Sequence, residues 1–136
     1  MATALFALVG CAVVPAPFAC PAIGYVNTAS IELADSAPGL RLELCSGTGC
    51  TPGPVEMPVE IGATATPLAT GIFQLIGDSE SGWTATLLDA PMNIGFRITD
   101  STRSTISEGA VRVDWKRVDG DDRCGGNQEA NVVITQ

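Results

Sequence analysis

The side chains with the widest chemical range are five thiols, and no histidine accompanies them. Thiols form disulfides, accept lipids or bind metals, depending on their spacing and compartment. The lack of histidine removes Ser-His-Asp and Cys-His catalysis and His-ligated zinc or haem. Acidic residues outnumber basic ones by 15 to 7, for a net charge of -8. Because nucleic-acid binding needs a basic surface, we expect no nucleic-acid partner. The five thiols belong to Cys11, Cys20, Cys45, Cys50 and Cys124.

The first 30 residues carry no charged side chain, and they begin with an apolar run from Ala4 to Gly10. Pro15 and Pro17 end the apolar stretch after about a dozen residues, short of the roughly 20 that a membrane-spanning helix needs. The hydrophobic segment of a secretory signal peptide explains this composition better. The alternative is a buried first strand or helix, in which Cys11 is a thiol of the core.

Leu8-Val9-Gly10-Cys11 resembles the lipobox of bacterial lipoproteins. The resemblance implies that the thiol of Cys11 receives a diacylglycerol and that the signal peptide is cut just before it. It also implies a membrane partner, reached through acyl chains, and an extracytoplasmic location. Residues 1–10 would then be a signal peptide truncated at its N-terminus, because no Lys or Arg precedes the apolar run. Residues 11–19 would be a lipid-anchored spacer, and residues 20–136 a β-sandwich domain.

If Cys11 carries lipid, four cysteines remain, and they can pair in three ways. The loop Cys45-Ser-Gly-Thr-Gly-Cys50 is short and contains glycine, so we favour a bridge between its ends. Cys20 and Cys124 would then close almost the whole domain. From loop-closure entropy, the short bridge contributes about 2 kcal/mol and the long one about 5 kcal/mol. No Cys-x-x-Cys pair is present, so the sequence predicts neither a metal nor another cofactor.

A second resemblance rests on Cys20-Pro21-Ala22-Ile23-Gly24-Tyr25 and Arg123-Cys124-Gly125-Gly126. These segments resemble uncharacterised small lipoproteins of high-GC Gram-positive bacteria. That family has no assigned activity, so the resemblance implies a location at the cell envelope and nothing about chemistry.

Short alternating apolar runs, separated by Gly, Pro, Asp and Ser, predict strands and turns along the rest of the chain. The pattern indicates an all-β fold, an immunoglobulin-like β-sandwich of about seven to eight strands, with a small closed β-barrel as the alternative. The predicted strands are Val26–Leu33, Leu40–Leu44, Val55–Ile61, Ile72–Ile76, Trp83–Leu88, Met92–Ile98, Ala110–Val118 and Gln128–Thr135.

The same alternation predicts which side chains face the core. Met92, Ile94, Phe96 and Ile98 form one inward row. Trp115 shares a face with Val111 and Val113, which makes it the expected core tryptophan. Trp83 follows a predicted turn, and we expect it to be the exposed one.

Carboxylates offer three further candidate sites. Gly77-Asp78-Ser79-Glu80-Ser81 begins like a nucleophile elbow but lacks the final Gly, so we interpret it as a turn. Asp119-Gly120-Asp121-Asp122 has three carboxylates that suit calcium, although the spacing is not that of an EF-hand. Glu43 could approach Glu56 or Glu60 across strands, which would give a carboxylate-based enzyme.

The leading interpretation is a non-catalytic, lipid-anchored β-sandwich that binds a protein or envelope ligand. A short covalently closed loop loses little entropy on binding, so the predicted binding loop is Ser46, Gly47, Thr48 and Gly49. The alternatives are a histidine-independent enzyme that uses carboxylates or a metal, and a purely structural envelope module.

Overall fold

The computed structural model describes residues 19–20, 24–55 and 70–136. Within these ranges the chain forms eight strands and no helix, and hence no helix long and apolar enough to cross a membrane. The strands are β1 (Asn27–Leu33), β2 (Arg41–Ser46), β3 (Ile72–Asp78), β4 (Gly82–Leu87), β5 (Asn93–Thr99), β6 (Thr105–Arg112), β7 (Lys116–Arg117) and β8 (Gln128–Ile134).

The strands form two sheets. The five-stranded sheet has the order β3-β4-β1-β8-β7, and the three-stranded sheet has the order β2-β5-β6. All neighbouring pairs are antiparallel except β1 and β8, the first and last strands, which run parallel. The predicted β-sandwich of seven to eight strands is therefore confirmed, and the alternative of a closed barrel is wrong.

The core lies between the two sheets and is built from alternate residues of each strand, as a half-buried strand requires. The inward residues of β1, β2 and β8 are those that alternation predicts. The buried members from these three strands are Ala29, Ile31, Leu33, Leu42, Leu44, Ala130, Val132 and Ile134.

Two predicted orientations are wrong. Met92 is 66% exposed because it precedes β5, and its carbonyl accepts a hydrogen bond from Val113 N at 2.9 Å. Trp83 is only 6% exposed because its register opposite Ile31 points it into the core. Trp115 is half-buried at the edge of the core, where its indole Nε1 donates to Pro91 O at 2.8 Å.

The strand predicted at Ala110–Val118 is two strands in different sheets. β6 begins five residues earlier, at Thr105, and β7 covers only Lys116 and Arg117. Between them the chain leaves the three-stranded sheet and joins the five-stranded one at β8. Of the strand predicted at Val55–Ile61, Val55 is not in a strand, and the rest lies outside the described residues.

Candidate functional site

The outer face of the three-stranded sheet carries a pocket of about 470 Å³. A volume of this size lies within the range typical of small-ligand sites. Strands β2, β5 and β6 form its floor, and the segments that follow β2 and β5 form its sides. The lining residues are Arg41, Glu43, Pro54, Arg97, Thr99, Arg103, Thr105 and Glu108.

The floor consists of two parallel rows, because residues paired across neighbouring strands project from the same face. The rows are about 7 Å apart, the rise of two residues along a strand. One extra residue in β6, at Ile106, brings Thr105 opposite Thr99. The first row is Arg41, Thr99 and Thr105, and the second is Glu43, Arg97 and Glu108.

Arg97 occupies the centre of the second row and joins the floor to one wall. Its Nη1 donates to Glu43 Oε2 at 3.1 Å and to Pro52 O at 3.2 Å, while its Nε donates to Glu108 Oε2 at 3.2 Å. The hydrogen bond to Glu108 is the main cause that raises the pKa of Arg97. Since the Arg97 and Glu43 side chains are each 26% exposed, this network is partly shielded from water. It therefore fixes the positions of three charged side chains.

The wall beside β2 is formed by the segment that follows Cys50. Gly53 N donates to Leu44 O at 3.4 Å, which holds this segment along the edge of β2. Pro52 is buried, and Pro54 lines the pocket. Prolines at 52 and 54 suit this position because they restrict the backbone and need no ladder partner for a backbone N–H.

A further side of the pocket is formed by the turn between β5 and β6, which carries Arg103. Arg103 has a φ of 67°, and it is the one residue other than glycine with a positive φ among those described. Asp100 holds this turn: its Oδ1 accepts from Thr102 N at 2.8 Å and from Ser104 N at 3.0 Å. These bonds offset the unfavourable backbone conformation at Arg103, which costs about 1 kcal/mol or more.

The pocket is electropositive within a strongly acidic protein. Among the described residues, its lining holds three arginines and two glutamates, a formal net charge of +1, whereas the chain carries -8. Arg97 pairs with two glutamates, which leaves that row with a formal charge of -1, whereas Arg41 and Arg103 form no ion pair with any described residue. Both guanidinium groups belong to exposed residues. The arrangement can therefore bind an anion between the first row and the turn.

The structure contains both of the disulfides that the sequence favoured. Cys45 is joined to Cys50, and Cys20 to Cys124, with Cα atoms 6.0 and 5.3 Å apart. The first bridge lies on the outer face of the three-stranded sheet, one row beyond Glu43, Arg97 and Glu108. The second links the segment before β1 to the loop between β7 and β8. Disulfides are typical of proteins that fold in an oxidising, extracytoplasmic compartment.

Two residues of the predicted binding loop, Ser46 and Gly47, form hydrogen bonds to neighbouring parts of the chain. Ser46 Oγ donates to Asp89 Oδ2 at 2.6 Å, and Gly47 N donates to Asn93 O at 2.9 Å. Thr48 and Gly49 are exposed at the tip. Binding by this loop stays a prediction, with Thr48 and Gly49 as its accessible part. Cys11 lies outside the described residues.

In the other carboxylate candidates, Asp78 and Asp121 accept hydrogen bonds from backbone N–H groups of nearby residues. Asp78 Oδ1 accepts from the backbone N of Glu80 and of Ser81, so this segment is the turn of the β3–β4 hairpin. Asp121 Oδ1 accepts from the backbone N of Arg123 and Cys124 in the same manner. No group of three metal-ligating side chains occurs among the residues that the structure describes.

The carboxylate-based enzyme has one of its three residues within the described ranges. Glu43 accepts from Arg97, whereas Glu56 and Glu60 lie outside the described residues. Arg41 and Arg103, the two exposed cations of the pocket, did not emerge from the sequence as site residues. The signal available was the outward alternation of Arg41 and Glu43 in β2.

Comparisons with known protein families, curated proteins and solved structures find no match to this chain.

Proposed function

We propose that this chain is a non-catalytic binding module, held at a membrane outside the cytoplasm by lipid on Cys11, whose ligand occupies the pocket on the three-stranded sheet. The observation that carries the binding role is the pocket itself. It presents two guanidinium groups without an ionic partner among the described residues, beside a braced row of three charged side chains.

Two observations support the proposed location and anchor. The two disulfides favour an oxidising compartment. They also use four of the five cysteines, which leaves Cys11 as the thiol available for another modification. That cysteine is the one in the lipobox-like sequence Leu8-Val9-Gly10-Cys11, so the pairing of the other four supports a lipid on Cys11.

The position of the pocket on a sheet supports binding rather than passive structure. The backbone of paired strands is already fixed, so a ligand that binds on this sheet does not have to order it. The Cys45–Cys50 bridge further fixes β2 and the wall segment that follows it. A preorganised charged pocket of this kind has no role in the packing of the core, which lies on the other face of the same sheet.

The anchor is tested by intact mass measurement on the protein from its native membrane fraction, before and after reduction. We expect a polypeptide that begins at Cys11 and carries a diacylglycerol, and that gains about four hydrogens when both disulfides are reduced. A Cys11→Ala variant is expected to leave the membrane fraction. Retention of residues 1–10 on an unlipidated chain would contradict the anchor.

The binding role is tested by ¹H–¹⁵N NMR of the full chain titrated with a set of small anionic, cationic and neutral compounds. We expect the shifts caused by binding compounds to cluster at Arg41, Thr99 and Arg103. Shifts centred on Thr48 and Gly49 would favour the disulfide loop instead. Scattered or absent shifts across the whole set would support the purely structural alternative.

A further inference from the structure

The charge balance of the pocket narrows the ligand that it can take. Among the described lining residues, three arginines against two glutamates leave a formal charge of +1, which one monoanionic group would balance. A phosphate dianion would leave excess negative charge beside Glu43 and Glu108, within a protein whose net charge is already -8. A carboxylate, which is a monoanion, therefore matches the charge of the described lining better than a phosphate dianion does.

The arrangement of donors points the same way. Arg41 lies at one end of the first row, Thr99 and Thr105 follow it on the two neighbouring strands, and Arg103 lies in the turn that joins those two strands. Guanidinium groups bind carboxylates through paired N–H donors, and threonine hydroxyls can add neutral hydrogen bonds. These side chains therefore offer both charged and neutral hydrogen-bond donors to a carboxylate.

The carboxylates of the second row can accept hydrogen bonds from the backbone N–H groups of a peptide whose C-terminal carboxylate lies at the first row. Glu43 and Glu108 lie one row away, about 7 Å along the strands, which equals two residues of an extended chain. Glu108 is 52% exposed, so part of its carboxylate remains open to a ligand beyond its bond to Arg97. A peptide whose C-terminal carboxylate lies between Arg41 and Arg103 would thus place its last N–H groups near these acceptors.

We propose that the pocket binds the free C-terminal carboxylate of an extended peptide, with Arg41 and Arg103 as the anion-binding residues and Glu43 and Glu108 as acceptors for its terminal N–H groups. The inference rests on the proposed binding role and gives it a ligand class. The same carboxylate chemistry occurs in acidic sugars, so the test separates the two sources.

The test titrates the full chain with N-acetyl-Ala-Ala, with the same dipeptide as its C-terminal amide, with glucuronate and with inorganic phosphate. Binding is followed through the amide resonances of the pocket. We expect the dipeptide acid to bind there, and to bind about tenfold or more tightly than its amide, because the amide lacks the charge-assisted hydrogen bonds. Glucuronate is expected to bind more weakly than the dipeptide, since it has no peptide N–H donors.

Arg41→Gln and Arg103→Gln are each expected to weaken binding of the dipeptide acid by about tenfold or more. Arg112→Gln is the matched control, since Arg112 lies on β6, is exposed, pairs with Asp114 at 3.5 Å and does not line the pocket. Thermal unfolding and the amide spectrum of each variant verify that it is folded. Because Arg41 and Arg103 are exposed, we expect both variants to fold.

Three outcomes would overturn the inference about the ligand. These are equal affinity for the acid and the amide, tighter binding of phosphate or glucuronate than of the dipeptide, and unchanged affinity in both arginine variants. In each case a compound still binds in the pocket, so the binding role survives while the ligand class fails. If none of the four compounds perturbs the pocket, the carboxylate inference fails, and the broader compound set decides whether the binding role fails with it.

Discussion

Gly95 lies opposite Cys45 in the β2–β5 pairing, and the Cys45 sulfur fills the space where a side chain at position 95 would begin. A Cβ atom built on Gly95 would lie 2.5 Å from Cys45 Sγ and 3.0 Å from Cys50 Sγ. The disulfide is therefore packed directly against the sheet, and it needs the absence of a side chain at this position. Glycine is required here for close approach and not for a positive φ.

We predict that Gly95→Ala destabilises the protein by about 1–3 kcal/mol, the usual cost of overpacking. The cost should shrink when Cys45 and Cys50 are both replaced by alanine, because the two sulfurs are the atoms that the new methyl group would meet. Urea unfolding of the four proteins in this double-mutant cycle measures the coupling.

Gly53→Ala provides the control for that cycle, since a Cβ at position 53 would meet its nearest neighbour, a methyl of Thr70, at an ordinary 3.5 Å. This control is expected to change stability by much less. An equal penalty for Gly95→Ala with and without the disulfide would show that the close approach to sulfur is not its cause.

The two disulfides should differ in what they contribute to stability. Cys20 and Cys124 are 104 residues apart in sequence, and Cys45 and Cys50 only 5. We expect replacement of Cys20 and Cys124 by serine to lower the free energy of unfolding by up to about 5 kcal/mol. Replacement of Cys45 and Cys50 by serine should lower it by about 2 kcal/mol, because the loop that this bridge closes is short. The Tyr25 hydroxyl, which donates to Cys124 O, helps to keep the native loop in place.

Urea unfolding of the two double-serine variants distinguishes this entropic effect from lost packing. Removal of the long bridge should also raise the m-value, because the unfolded chain becomes free to expand and exposes more surface. A larger stability loss for the short bridge, with unchanged m-values in both variants, would contradict the prediction.

The alternation of apolar and polar residues predicted most strands and their inward faces, because each half-buried strand has apolar side chains on its core face and polar ones on its outer face. The first half of β6 was not predicted in this way, because its inner-face positions include Ser107 and Gly109 rather than large apolar residues. Gly109 pairs with Phe96, and a Cβ at position 109 would come to within 3.4 Å of the ring of Phe96. Trp83 alternates with Ala85 and Leu87, and this pattern would have predicted an inward side chain. The turn beside Trp83 led instead to the expectation that it is exposed.

The pocket could not be derived from alternation, because it depends on which strands are neighbours. Arg41, Arg97 and Arg103 belong to three segments that are brought together by the β2-β5-β6 order and by the turn at Asp100. A sequence pattern predicts the face on which a side chain lies, but not the strand beside it. The disulfides were easier to predict from the sequence. The short glycine-containing loop favoured one pair, and the assignment of Cys11 to a lipid left only four cysteines to pair.

The two tryptophans should respond differently to a soluble quencher. Trp83 is buried, whereas Trp115 is half-buried with its Nε1 bonded to Pro91 O. We expect acrylamide to quench the fluorescence of the Trp115→Phe protein, which retains Trp83, less than that of the Trp83→Phe protein. We also expect Trp83→Ala to cost about 3–5 kcal/mol and Trp115→Phe about 1 kcal/mol. Stronger quenching of Trp83 would contradict its place in the core.

The turn that presents Arg103 should weaken in acid. Asp100 accepts hydrogen bonds from Thr102 and Ser104, and these bonds, led by that from the Thr102 side chain, lower the pKa of Asp100. A carboxyl group whose pKa is lower in the folded than in the unfolded protein stabilises the fold fully above its ordinary pKa of about 3.9. That contribution is lost as the pH falls below this value and through the folded pKa.

We therefore predict that Asp100→Asn lowers the free energy of unfolding at neutral pH and flattens its decline in acid. Urea unfolding from about pH 6 down to pH 2 measures both effects, and the amide resonance of Thr102 reports the turn separately from Asp78, whose pKa is also lowered. Asp114→Asn is the control, because Asp114 is exposed and holds no turn. If Asp100→Asn and Asp114→Asn showed the same acid profile, the carboxylate of Asp100 would not be what holds Arg103 at the pocket.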